Sequence, residues 1–191
     1  MFAGHFGLAA GVRAKAPEVP LWALLAGSQL LDIVFIPMVM RGAESMDDKT
    51  HGSGYGELII HADYTHSLVA ALLLSVLAGL LAWRLWGKRA SRIMASVVFS
   101  HWVLDLVVHR GDMPLLPGNW GDLPLLGLGA WRWPWLSAAM ELVLIVVGLL
   151  LYTGFKLKDT QGAKRKKGIA SVVVLGFVLV FMLASDVTGI F

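Results

Sequence analysis

Residues 169–191 read IASVVVLGFVLVFMLASDVTGIF, twenty-three residues with one charged side chain, Asp186. A helix needs about 20 predominantly apolar residues to cross the hydrocarbon of a bilayer. Inside that layer the backbone must satisfy its own hydrogen bonds, so a spanning segment of this kind is helical. Four further runs reach a similar length, roughly 20–41, 64–86, 91–110 and 133–155. Composition agrees: 57% of the 191 residues are hydrophobic, 15% are charged, and the mean hydropathy is +0.71. Soluble domains hold about 45–50% apolar and about 25% charged residues. The first thirteen residues, MFAGHFGLAAGVR, are apolar but too short to span. They predict a half-helix over 1–16 that ends at Arg13 and Lys15, before Pro17 and Pro20. The expected fold is a single all-α domain, a polytopic membrane bundle of about five transmembrane helices plus the half-helix.

The loops predict an orientation. Arg84, Lys88, Arg89 and Arg92 lie in one connection, and Lys156, Lys158, Lys164, Arg165, Lys166 and Lys167 in another. The positive-inside rule places both in the cytoplasm. The acidic, glycine-rich loop 42–63 and the segment 111–134 then face out, where Trp120, Trp131, Trp133 and Trp135 mark the interface. The N-terminus is expected inside and the C-terminus outside. The start lacks the pattern of a cleaved signal peptide. There is no cysteine, which excludes disulfides, thiolate metal sites and cysteine nucleophiles. The net charge of +3, concentrated in two loops, signals topology and not a nucleic-acid surface.

A second stretch raises the question of chemistry. SHWVLDLVVHRGD, residues 100–112, places His101, Asp105 and His109 four apart on one helix face. Ionisable groups inside a span cost several kcal/mol (about 3) unless paired, hydrated or bound to metal. Helix rise gives their depth. His5 lies about 15 Å above the basic end of its half-helix, Asp32 and His101 about 18 Å up, Asp105 and Glu141 about 22–24 Å, and His66 about 27 Å. Five segments therefore bring polar groups to one slab in the outer half of the membrane; helical rotation is left open. His-x3-Asp by itself is a weak signal, and a polar helix-packing network is the plain alternative. His61 sits where the outer loop enters the second span, equally suited to a water-facing rim. Glu141 reads either as support for a ligating histidine or as a helix–helix hydrogen bond.

These residues resemble a known family. Gly4-His5 near the N-terminus, Asp32 in the first full span, His61-x4-His66-Ser67 at the next and Ser100-His101-x3-Asp105 in the third look like the YdjM-like inner-membrane family of metal-dependent hydrolases. That family is related in turn to the all-helical zinc phospholipase C and P1 nuclease group, where an H-x3-D helix and a nearby Pro-Leu segment surround a zinc cluster. The likeness covers roughly residues 4–117. It implies an inner-membrane location and a metal set of His5, Asp32, His61, His66, His101 and Asp105. Two departures stand out: Leu31-Asp32 where the family has Pro-Asp, and His61-Ala62-Asp63 where it has His-Arg-Gly. The missing arginine removes a phosphate-binding group.

Histidine and carboxylate donors suit zinc or a similar divalent metal, and a set richer than four implies one to three ions. A site just below the outer interface is where a lipid ester or lipid-linked phosphoester lies. His109, Asp112 and Glu141 are the candidate catalytic groups, with Asp63 as another possible base. Beyond residue 110, Pro114 and Pro117 bar the helix, and the apolar segment that follows is expected to lie along the interface as a lid. Two other classes fit parts of the pattern: a proton or metal-ion transporter using the same cluster, and a haem protein with two axial histidines.

Overall fold

In the computed structural model, which describes residues 2–48, 58–158 and 163–188, helices account for nearly all regular structure. They are α1 (Phe2–Lys15), α2 (Leu21–Ser28), α3 (Leu30–Met40), α4 (Leu68–Trp86), α5 (Lys88–Val108), α6 (Pro134–Lys158) and α7 (Ala163–Thr188). Among the described residues four of them are each long and apolar enough to cross a membrane, and the bent pair of α2 and α3 is together long and apolar enough for a fifth. Their outer faces carry the exposed apolar side chains, among them Leu72, Val76 and Leu80 on α4, Val143 and Val147 on α6, and Val173 and Phe177 on α7. Lipid, not water, is the natural solvent of such faces.

The half-helix α1 is inserted among the spans and not laid beside them. Ala3, Ala9 and Ala10 are fully buried. Its small residues let α6 come close: a Cβ built on Gly7 would lie 2.8 Å from the backbone of Leu144 and Ile145, and one on Gly148 would strike the Gly7 carbonyl. Close approach of this kind holds helices together where lipid competes for apolar contact. At the basic end, Arg89 reaches Glu18 at 2.8 Å and the Lys15 carbonyl at 2.6 Å.

α4 and α5 form an antiparallel pair joined by Gly87 alone, whose φ of 91° favours glycine. Ser67 caps α4 by accepting from the Ala70 N–H. Two further N–H groups of its first turn, on Leu68 and Val69, donate to the carbonyls of Pro114 and Leu115. The segment after α5 is thus anchored to the helix ends. Met113, 1% exposed, pairs with Leu126 in an isolated bridge.

Two departures from the sequence reading affect the site. The expected continuous span 20–41 is broken: α2 and α3 meet at 52° around Gln29, which has left helical geometry. Gln29 is held there by donating from its side-chain amide to the Phe2 carbonyl. The expected loop 42–63 instead contains a ribbon, β1 (Ser45–Asp48) antiparallel to β2 (Leu58–His61), with Ser45 opposite His61. The middle of that loop lies outside the described residues.

Candidate metal centre

The centre is assembled around α5, where His101 and Asp105 stand one turn apart with Nε2 and Oδ2 at 3.0 Å. His101 is fully buried. Its Nδ1 lies 2.7 Å from the Ser28 carbonyl, which can only accept. In the neutral ring the proton therefore sits on Nδ1, which leaves the Nε2 lone pair for the cluster. The broken span makes this possible. In a continuous helix the Ser28 carbonyl would face the amide of residue 32. Here it points at His101, while Asp32 sits in the first turn of α3, where the helix dipole favours a carboxylate.

His66 is oriented in the same way by a longer relay. Its Nδ1 is 3.0 Å from the Thr65 hydroxyl, which is 3.0 and 3.1 Å from the two Glu44 oxygens. The carboxylate takes the hydroxyl proton, so the hydroxyl accepts from His66 Nδ1–H. Glu44 is 3% exposed and also accepts from the Tyr64 and Thr65 amides at 2.9 and 2.8 Å. The indole of Trp102 donates to the His66 carbonyl, and Phe35 meets the ring edge-on. His66 thereby turns its Nε2 to the same point as His101.

The four facing atoms are His66 Nε2, His101 Nε2, Asp32 Oδ1 and Asp105 Oδ2. The two nitrogens are 3.3 Å apart. His66 lies 3.3 Å from Asp32 and 3.6 Å from Asp105; His101 lies 3.6 Å from Asp32 and 3.0 Å from Asp105. Donors about 2.0–2.1 Å from a tetrahedral zinc are separated by about 3.3 Å. The His–His and His–Asp spacings and the donor chemistry fit such an ion. His5 adds a fifth group. Its Nε2 is 3.2 Å from the other oxygen of Asp105, and its ring stacks on His101 at 4.0 Å. Its Nδ1 is buried without a hydrogen-bond partner among the described residues. His5–His101–Asp105 and Asp32–His66–His101 form two overlapping groups that could hold metal.

The chain belongs to the YdjM inner membrane protein family. The family model matches residues 1–188, so it takes in the last two spans as well as the motif-bearing part. No curated protein and no solved structure matches the chain. As a YdjM family member this is an integral protein of the inner membrane.

Other expected site residues lie elsewhere. His61 is not brought to the cluster: on β2 it is half-exposed and pairs with Asp47 across the ribbon at 3.2 Å. Glu141 belongs to neither ligand group. It is fully buried in α6 and accepts from the Gly4 amide at 3.1 Å, holding the N-terminal turn of the helix that carries His5. His109 and Asp112 pair with each other at 3.1 Å. His109 is buried against Trp131, with its ring 6.1 Å from that of His66, while Asp112 is partly exposed. The Asp63 backbone carbonyl accepts from the Gly118 amide. Glu44 was not legible beforehand. It is separated from Thr65 by 21 residues, and its only local signal was membership of an acidic loop.

Proposed function

We propose that this YdjM family protein is a membrane-embedded, zinc-type metal-dependent hydrolase acting on a lipid or lipid-linked ester or phosphoester. One observation carries the reading. Two imidazole nitrogens each lie 3.0–3.6 Å from two carboxylate oxygens inside the membrane, with the other nitrogen of each imidazole already engaged by an oxygen. With both rings neutral, such a set of acceptors would be stabilised by a cation among them. A divalent metal there would polarise an ester oxygen and lower the pKa of a water molecule.

The protein's own groups supply the rest. His101, His66, Asp105 and Asp32 would hold the first ion, and His5 with the second oxygen of Asp105 would contribute to another. The Asp32 side chain is 32% exposed while its partners are buried, so access is from its side. His109 and Asp112 form a histidine–carboxylate pair beside His66. With Nδ1–H donated to Asp112, His109 can take up a proton on Nε2, the role of a general base.

Metal content of the purified protein tests the reading directly. Inductively coupled plasma mass spectrometry should find at least one zinc per chain after desalting, and phosphatidylglycerol vesicles should be cleaved by the loaded protein. An absence of bound metal, or the same metal content in His101→Ala and Asp105→Ala, would overturn it. The broken span favours a second reading, because interrupted helices line transport sites. Zinc uptake into proteoliposomes, with no tightly held ion and no lipid cleavage, would select that one.

A further inference from the structure

α5 and α6 both pack near α1 but scarcely touch each other along the basic half of the bundle. Between them runs a groove of about 790 Å³. Leu8 and Val12 of α1, Ile93 and Val97 of α5, and Val147 and Leu151 of α6 line it. It ends at Ser100, beside but not inside the metal centre. Its other end carries Lys15, Arg89 and Arg92. Arg89 is committed to Glu18 and to the Lys15 carbonyl. Lys15 and Arg92 are exposed, and neither is ion-paired among the described residues. Among the described residues the mouth therefore keeps two positive charges in excess.

The dimensions select an occupant. From Arg89 to Ser100 the wall rises about 16 Å along α5. One leaflet of hydrocarbon is about 15 Å deep. A groove that is apolar for the depth of one leaflet and cationic at its interfacial end matches one acyl chain joined to a negatively charged headgroup. Gly7, Gly11 and Gly148, at the close contact of α1 with α6, form part of its wall. We propose that this groove binds one anionic phospholipid, with its phosphate against Lys15 and Arg92 and one acyl chain between α5 and α6. The site is separate from the metal centre and stands whether or not that centre is catalytic.

Native mass spectrometry of the full chain in detergent tests this, titrating with phosphatidylglycerol and with phosphatidylcholine of the same acyl chains. The protein should take up one phosphatidylglycerol in preference. The double variant Lys15→Gln/Arg92→Gln should weaken that uptake about thirtyfold, the effect of two interfacial cations. Ser96→Phe fills the groove from an exposed position and keeps both charges; it should reduce uptake of both lipids while metal content stays unchanged. Equal uptake of the two lipids by the unaltered protein would overturn the headgroup assignment. Unchanged phosphatidylglycerol binding in Ser96→Phe would reduce the site to surface attraction and overturn the groove. A dimer that disappears in Ser96→Phe would show a second copy of the chain as the occupant, against the proposal.

Discussion

α5 and α7 both cross the same membrane, and they are built for different tasks. α7 is apolar on nearly every side, with Val173, Val174, Phe177, Val180 and Phe181 turned out to lipid. α5 buries His101 and Asp105 among Val97, Val98 and Trp102. The difference lies less in propensity than in surroundings. α7 packs on α6 and α1, whereas α5 is contacted by α1, α2, α3 and α4, and so has neighbours able to satisfy polar groups. A histidine on the lipid face of α7 would have no carbonyl to meet. On α5 the break in the neighbouring span supplies one. In this bundle α5 carries polar side chains because its neighbours, including backbone freed at the break beside Gln29, can receive them.

The contrast breaks most severely at Asp105, which is shared by His5, His66 and His101. Asp105→Ala is expected to eliminate bound metal and to cost about 3–5 kcal/mol, since it strips a buried ionic cluster of its central partner. Thermal unfolding in detergent and metal analysis check both parts. Asp32→Asn, at the more open edge, should lose metal with little loss of stability; retention of full occupancy would remove Asp32 from the ligand set.

At the mouth, His109→Ala and Asp112→Ala should keep the metal and lower turnover by about 10²–10⁴-fold, the usual contribution of a general base. Loss of metal in the His109 variant would instead make that ring a ligand. Glu44→Gln tests the relay behind His66: metal affinity should fall about 10–100-fold. Thr65→Val should fall similarly, and the double variant little further, because both act through one imidazole. A purely structural role for Glu44 would lower the melting temperature without moving metal affinity. On α7 the expected effect is smallest. Val173→Leu should change stability by no more than about 0.5 kcal/mol and leave metal content alone. A shift in metal content there would mean that the two helices are less independent than their surroundings indicate.

How much of the centre was legible depends on the range of the interaction. His101 and Asp105 were readable as a pair because helical spacing alone puts them on one face. His66 and Asp32 were placed in the same outer slab of the membrane by counting residues, though only packing could turn them inward. His61 matched the motif as well as His66 did, and the β1–β2 ribbon carried it away. Glu141 looked like support for a histidine and holds the backbone at Gly4, next to one.

The amino-acid sequence determined that the chain is a helical membrane bundle, because long apolar runs have no other way to satisfy their backbone in lipid. It also determined which side chains are too costly to bury without partners. Tertiary structure decided who those partners are. The 52° break at Gln29, the insertion of α1 among the spans and the reach of Glu44 to Thr65 join residues far apart in the chain. None of these follows from local periodicity, which fixes the spacing of side chains along one helix and says nothing of its rotation against the next.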